Sequence, residues 1–267
     1  VIHGENPSVK AVFLTSPCVE LWLNPWRTGV DLSTMIEQID GISVDPYYTF
    51  HPRHFDPAEA YLSEWCRLLA CIVPEGKDAE IVPQGFSHPT FTRPLDEGDG
   101  YWAALIPPAC GIRQITPYCY PYLKVSPMLE TYEQCFRWDG YFAEAAPLNY
   151  AAVVHGGRSE IYHHPFPDEL PDSYDGAYFM PVGESLRHRG IPYQYLTDGN
   201  LDDPGKLRKY AVIVLPQITC LSDQAAKAIL HYVEEGGGLV ILGDFGSCDE
   251  FGTARNSSLL LETFGIK

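Results

Sequence analysis

Long apolar runs and basic side chains are both scarce in this sequence. No apolar run reaches the ~18 residues that a membrane-spanning helix needs, so we expect no membrane segment. The 267 residues include 18 Lys and Arg against 35 Asp and Glu, which gives a net charge of −17. A polyanion of this kind repels nucleic-acid backbones and anionic lipid head groups. We therefore expect neither nucleic acid nor a membrane surface as a partner, and a neutral ligand fits better.

Motifs for nucleotides, metals and serine hydrolase chemistry are also missing. The chain contains no Walker motif, no G-x-G-x-x-G and no G-x-S-x-G. Its eight cysteines form no C-x-x-C pair, and the spacing of His51, His54 and Asp56 is nonspecific. We therefore expect no metal and no cofactor. The cysteines are typical of buried thiols in a reducing compartment, which predicts a cytoplasmic protein.

The sequence does contain a regular alternation of short apolar strands and amphipathic helices. In its first part we predict strands at 10–16, 41–45, 79–85 and 112–118, with helices near 33–39, from 57, near 98–105 and from 126. Pro107 and Pro108 are predicted to end the third of these helices. Such alternation is typical of parallel βα units. Four units in 148 residues are about half of a (β/α)8 barrel, which needs roughly 250 residues.

A second α/β set follows a break in the pattern at 145–149. We predict strands at 150–155, 192–196, 210–216 and 239–242, and helices at 182–189 and after the capping residue Ser222. This order predicts a doubly wound, flavodoxin-like domain over 149–267 that is cut short at its C-terminus. The fold class is therefore α/β, with a partial barrel over 1–148. Because Val1 opens on an incomplete unit, we expect a piece of a longer protein.

The second set contains the most specific stretch of the chain. Tyr210-Ala-Val-Ile-Val-Leu-Pro216 leads through Cys220-Leu-Ser-Asp223 into the capped helix, and Tyr232-Val-Glu-Glu-Gly-Gly-Gly-Leu-Val-Ile-Leu242 follows. Asp249-Glu250 and Leu261-Glu-Thr-Phe-Gly265 come after it. Residues 150–267 thereby resemble the glutamine-amidotransferase-like (class I) trimerisation domain of β-galactosidases of glycoside hydrolase family 42 and of related hypothetical glycosyl hydrolases.

The resemblance implies an architecture and an assembly. In those enzymes the domain directly follows a (β/α)8 barrel, so residues 1–148 would be barrel strands five to eight. The related enzymes associate through the second domain. The implied partners are a second copy of the chain, as in a homo-oligomer, or a missing N-terminal half. Cys220 lacks a nucleophile elbow and no His and Glu partners follow Cys248, so we expect the amidotransferase-like domain to be inactive.

Barrel enzymes place their chemistry at the carboxyl ends of the strands, and those ends are aromatic here. The candidate substrate-binding residues are Trp22, Tyr47, Tyr48, Phe86, His88, Tyr118 and Tyr120. Aromatic faces suit the C–H faces of sugar rings, and polar neighbours suit the hydroxyls. The alternative is that these side chains only cap the core.

The candidate catalytic residues are Asp45, Gln84 and Glu20. A retaining glycosidase needs two carboxyl groups ~5–5.5 Å apart. The resemblance implies an acid/base on the missing strand four and a nucleophile on strand seven, at the position of Gln84. An amide cannot act as a carboxylate nucleophile. Asp45 is the best remaining carboxylate, unless it only caps its own turn, and Glu20 is a looser candidate.

The sequence therefore leaves two functions open. The first is a glycoside-hydrolase-related protein or fragment that acts on β-linked sugars such as β-galactosides. The second is a non-catalytic carbohydrate-binding or assembly module derived from such an enzyme, which Gln84 favours. Carbohydrate is the expected ligand in both.

Overall fold

A computed structural model describes residues 6, 8–15, 31–47, 58–87, 93–119, 121, 127–143, 145–162 and 179–256. The chain divides into two compact units, and the division falls between Pro147 and Leu148. Each unit is built on a four-stranded sheet in which all neighbouring strands are parallel. Within the described ranges, every helix is too short or too polar to cross a lipid bilayer.

In the first unit the chain adds each new strand to the same edge of the sheet. Its strands are β1 (Val12–Thr15), β2 (Gly41–Val44), β3 (Asp78–Ile81) and β4 (Gln114–Ile115). Its helices are α1 (Leu32–Met35, continued by a 3-10 turn over Ile36–Gln38), α2 (Ala58–Ile72), α3 (Glu97–Ala109), α4 (Met128–Cys135) and, after a 3-10 turn over Phe136–Trp138, α5 (Asp139–Phe142). The strand order is β1-β2-β3-β4, so every strand pairs with the next one in the chain. That order is typical of a β/α barrel sheet and has no reversal point.

The two faces of this sheet differ because side chains alternate along each strand. Ile42, Val44 and Ile81 share one face and are fully buried, and α2 packs against β3. Ser43 and Glu80 are register partners on the other face, together with Leu14 of β1. Leu14 is 61% exposed, so this face is open at β1. The helix-covered face corresponds to the outside of a barrel, and the open face to its interior.

The helices confirm most of the periodicity and overturn one prediction. In α2 the four apolar residues with the i, i+3, i+4, i+7 spacing of an amphipathic helix are all fully buried: Leu62, Trp65, Cys66 and Leu69. Helix α3 begins at a capping box between Asp96 and Asp99. The prediction that Pro107 and Pro108 end this helix is wrong, because it runs on to Ala109. A proline φ near −65° fits a helix, and so close to the C-terminus its missing N–H leaves few carbonyls without a donor.

The second unit is doubly wound. Its strands are β5 (Ala151–His155), β6 (Tyr193–Thr197), β7 (Val212–Cys220) and β8 (Gly238–Cys248). Its helices are α6 (Gly157–Tyr162), α7 (Phe179–His188), α8 (Pro204–Leu207) and α9 (Asp223–Glu234). The strand order β6-β5-β7-β8 is the 2-1-3-4 order of flavodoxin-like sheets. The predicted α/β class with parallel sheets is confirmed.

Strands β7 and β8 are longer than the apolar runs that predicted them. The ladder between them continues past Pro216 and Leu242, with irregular register between Pro216 and Ile218 and again between Ile218 and Cys220. Gln217 has φ 53°, so the backbone takes up the irregularity there. The predicted ends at 216 and 242 were wrong because polar residues and glycine interrupt the apolar runs while the backbone pairing goes on.

Candidate functional site

The carboxyl ends of β2, β3 and β4 form one rim of the first unit. Backbone hydrogen bonds continue the ladder past the strands: Asp45 N–H donates to Thr15 O at 3.4 Å, and Gly85 N–H donates to Tyr118 O at 2.7 Å. Gln84 and Tyr118 form an isolated parallel bridge. Asp45, Gln84 and Tyr118 therefore follow three neighbouring strands at the same edge of the sheet.

Three aromatic rings meet at this rim, and we call them the aromatic triad: Tyr47, Phe86 and Tyr118. The Tyr47 and Phe86 ring centroids are 5.2 Å apart and edge-on. The Tyr47 and Tyr118 rings are stacked at 6.1 Å, and Phe86 meets Tyr118 edge-on at 5.9 Å. Such geometries stabilise aromatic pairs beyond their buried area. Tyr118 remains 51% exposed, so part of its ring is available to a ligand.

Asp45 and Tyr47 are joined by a hydrogen bond between their side chains. Burial raises the pKa of the Tyr47 hydroxyl, and the negative charge of Asp45 together with this hydrogen bond raises it further. Tyr47 therefore stays protonated at neutral pH and keeps a proton to donate to the Asp45 carboxylate. This pair can orient a hydroxyl group of a ligand.

Gln84 is fully buried, and its amide works as a hydrogen-bond donor. Nε2 of Gln84 donates to the Phe86 carbonyl oxygen at 2.7 Å. The side chain is thereby held against the backbone that carries one ring of the aromatic triad. Within the described part of this rim, Asp45 supplies a carboxylate and Gln84 an amide.

The structure brings five of the candidate residues together: Asp45, Tyr47, Gln84, Phe86 and Tyr118. The other five lie outside the described residues: Glu20, Trp22, Tyr48, His88 and Tyr120. His51, His54 and Asp56 lie outside them as well. In the described ranges no three His, Cys, Asp or Glu side chains converge as metal ligands would.

Two polar residues of the open face were not predicted from the sequence as part of the site. Ser43 is buried two positions before Asp45, and Thr116 Oγ1 donates to Glu80 Oε1 at 2.6 Å. Ser43 lies on β2, and Thr116 directly follows β4. Counting back in steps of two from Asp45 and Tyr118 places them on the face of the candidate site. The alternation of side chains along a strand is therefore the sequence signal that predicts their position on this face.

The cysteine at the end of β7 is not an activated nucleophile. Cys220 is fully buried, and this burial raises the pKa of its thiol to about 12. Its backbone N–H donates to Ser159 Oγ at 2.9 Å. The thiol is therefore protonated at neutral pH.

Sequential parallel βα units followed by a doubly wound sheet define an α/β protein with a rim of polar and aromatic residues. The fold matches solved structures of glycoside hydrolase family 42. A cold-adapted β-galactosidase from Rahnella sp. R3 matches with a TM-score of 0.72 at 16% identity, over 96% of this chain and 40% of that one. A family 42 β-galactosidase from G. stearothermophilus matches with a TM-score of 0.72 at 13% identity, over 96% of this chain and 40% of that one.

A third matching structure is described as a different enzyme of family 42. The family 42 exo-carrageenase of Bacteroides ovatus matches with a TM-score of 0.66 at 13% identity, over 97% of this chain and 38% of that one. The chain thus has the fold of part of a family 42 β-galactosidase and spans about 40% of such an enzyme's length. No family model matches the chain, and no curated protein matches its sequence.

Proposed function

We propose that this chain is a glycoside-hydrolase-related protein, or a fragment of one, whose rim binds a β-linked sugar such as a β-galactoside. The observation that supports this most directly is the aromatic triad beside Asp45 and Gln84 at the carboxyl ends of three parallel strands. The matched enzymes are described as β-galactosidases and an exo-carrageenase, so carbohydrate is the ligand class that the fold favours.

The chemistry of the rim suits a neutral sugar. The exposed half of Tyr118 offers a ring face for sugar C–H groups, and the Asp45 carboxylate accepts hydrogen bonds from hydroxyls. A neutral sugar carries no charge that the net charge of −17 would repel. Glu20, Trp22, Tyr48, His88 and Tyr120 belong to the same proposed site through their positions in the sequence.

A non-catalytic carbohydrate-binding or assembly module is the second candidate, and Gln84 favours it. Double displacement requires a carboxylate nucleophile, whereas Gln84 presents an amide that is already bonded to the Phe86 carbonyl. Asp45 alone would orient a hydroxyl or act as a base. We therefore expect sugar binding with little or no turnover by the isolated chain.

Calorimetry and an activity assay together separate the two candidates. The chain is titrated with methyl β-galactoside and with methyl β-glucoside, and in parallel it is assayed against a panel of aryl β-glycosides. Binding with turnover supports the hydrolase, and binding without turnover supports the module. Absence of any measurable sugar binding by the folded chain contradicts both.

A matched pair of variants assigns the binding to the rim. Tyr118→Ala removes a half-exposed ring of the aromatic triad, and we expect a roughly tenfold weaker Kd, about 1.4 kcal/mol. Trp102→Ala removes an aromatic side chain of similar exposure from α3, and we expect no change in Kd. Equal effects of the two variants would place the sugar elsewhere.

The division of the chain into functions is part of the same proposal. We infer that residues 1–148 are strands five to eight of a barrel and that 149–267 is an inactive amidotransferase-like domain that serves assembly. The flavodoxin-like strand order of the second unit and the high pKa of Cys220 support that view. The seven cysteines within the described ranges form no disulfide, which supports a cytoplasmic location.

A further inference from the structure

Two cysteines stand opposite each other where β7 and β8 end. Cys220 is the last residue of β7, Cys248 is the last of β8, and the two are register partners in the parallel ladder. Register partners on parallel strands point to the same face, and neighbouring strands lie about 4.8 Å apart. That spacing is within the roughly 4.4–6.8 Å that the Cα atoms of a disulfide span. We propose that Cys220 and Cys248 form a reversible disulfide, which makes this pair a redox modification site.

The end of this strand pair is held by backbone bonds on both sides of β8. In the described part of the sheet β8 is an edge strand, and its register with β7 is irregular just before Cys220. The Leu221 N–H donates to the Cys248 carbonyl at 3.2 Å. The segment after β8 pairs with the end of that strand, where Asp249 N–H donates to Thr253 O at 2.9 Å and Arg255 N–H to Ser247 O at 2.8 Å. Cys248 is 5% exposed, whereas Cys220 is fully buried. Exposure of Cys248 requires this end to open locally and residues 253–255 to be released from it. Such opening has a lower free energy at a strand end than in the core.

The chemistry balances with a low-molecular-weight disulfide such as oxidised glutathione. The Cys248 thiolate attacks one sulfur of the oxidant, forms a mixed disulfide and releases one glutathione thiolate. Cys220, which is protonated while buried, loses its proton to solvent once the end has opened, and its thiolate attacks the Cys248 sulfur. This forms the protein disulfide and releases the second glutathione. Two protein thiols are oxidised and one glutathione disulfide is reduced. The two protons of the cysteines end on the two glutathione thiols.

A second close pair of cysteines provides an internal comparison. Cys66 of α2 and Cys110 at the end of α3 are joined by a hydrogen bond between their side chains. Both are closed off by packed helices, with exposures of 0% and 2%. They lie in the helix-covered part of the first unit and not at a sheet edge. If local opening controls the reaction, the β7–β8 pair reacts well before this one.

Peptide mapping tests the proposal on the full chain. The reduced protein is incubated with oxidised glutathione, unfolded in an alkylating agent and digested. We expect a cross-linked peptide that joins Cys220 to Cys248, lighter by two hydrogen atoms than the two free peptides and restored to them by dithiothreitol. Cys248→Ser should abolish this peptide, and Cys71→Ser, a change in α2, should leave its yield unchanged.

Two results would overturn the proposal. One is that Cys220 and Cys248 stay as fully alkylated as Cys66 and Cys110 throughout the incubation. The other is that each carries glutathione without a link between them. A second measurement is independent of peptide yield: the cross-linked chain should unfold at a higher urea concentration than the reduced chain, since the bond restricts the unfolded state.

Discussion

The position of Gln84 requires a hydrogen-bond donor, because its Nε2 faces the Phe86 carbonyl oxygen at 2.7 Å in a fully buried place. In Gln84→Glu the ionised carboxylate would face that carbonyl without a proton. Burial raises the pKa of such a carboxyl group, so the folded variant holds the proton to a higher pH than the unfolded chain, where it leaves near 4.3. We expect the variant to be close to the parent near pH 4 and about 1–3 kcal/mol less stable at pH 8. Urea unfolding at the two pH values measures this.

Gln84→Met is the control for this substitution. The methionine side chain has no hydrogen-bond donor and no titratable group, so this variant should lose the same stability at both pH values. A Gln84→Glu variant with equal urea midpoints at pH 4 and pH 8 would refute the role of the amide as a required donor. We also expect no gain of aryl β-galactoside hydrolysis in this variant, since a second carboxyl group at a suitable distance is still needed.

Tyr47 offers a second test at the scale of one residue. Tyr47→Phe removes the hydroxyl that bonds Asp45 and keeps the ring of the aromatic triad. If Asp45 orients a sugar hydroxyl, the variant should bind sugar several-fold more weakly while its unfolding changes by only about 1 kcal/mol. Calorimetry and urea unfolding give the two numbers. Unchanged sugar affinity would remove Asp45 from the proposed site.

At the scale of secondary-structure elements, α3 and α4 approach each other closely at Gly100. A Cβ added there would lie 2.4 Å from the Met128 carbonyl oxygen and 2.9 Å from Thr131 Cβ. Gly100→Ala should therefore destabilise the protein by about 1–3 kcal/mol through overpacking. Gly140 of α5 has nothing within 4 Å of such a Cβ, and Gly140→Ala should stabilise by roughly 0.5–1 kcal/mol. Thermal unfolding measures the Tm of each variant, and a shift of both Tm values in the same direction would contradict this packing.

The start of α3 depends on an ion pair between a half-exposed guanidinium and a buried carboxylate. The Arg93 guanidinium donates to both oxygens of Asp99, at 2.8 and 2.6 Å, and Asp99 is almost fully buried. Arg93→Ala leaves that carboxylate without its cation and should cost about 3 kcal/mol. Lys10→Ala breaks a pair with Asp78 in which the lysine is exposed, and it should move the urea midpoint much less than Arg93→Ala does. Urea midpoints compare the two, and equal losses would show that Asp99 is better solvated than its burial indicates.

Particular elements show how much of the fold and of the site could be predicted from the sequence alone. The stripe of α2 and the apolar strands β2 and β5 could be predicted, because burial on one or both faces leaves a clear pattern in hydrophobicity. The lengths of β7 and β8 could not, since backbone bonds carry a ladder through Gln217 and Gly243 without any apolar signal. At the site, Asp45, Gln84 and Tyr118 were found because they end parallel strands. The donor role of Gln84 depends on the position of one carbonyl, which no pattern encodes.

At the scale of the whole molecule, the first unit presents apolar surface at one edge of its sheet. Val12 and Leu14 of β1 are 46% and 61% exposed on the open face. Exposed parallel edges with apolar side chains are normally covered. We expect light scattering at micromolar concentration to give a mass above the 29.9 kDa of one chain. A stable species of that mass would refute the proposed assembly.

A charge at the sheet edge locates that association. Leu14→Lys should shift the population towards a single chain, because burying an unpaired ammonium group is costly. Tyr141→Lys changes a residue of α5 that is 81% exposed and should leave the measured mass as it is. If only Tyr141→Lys dissociates the assembly, the contact lies on the helices and not at the edge of the sheet.

The two strand orders also imply different folding histories. In the first unit each strand finds its partner in the segment made immediately before it, so pairing can advance step by step as the chain leaves the ribosome. In the second unit β5 pairs with both β6 and β7. Its second neighbour, β7, is synthesised only after β6 is complete. Closing that longer loop costs more entropy and slows the search. The second unit should therefore be the later one to acquire protection from hydrogen exchange during refolding.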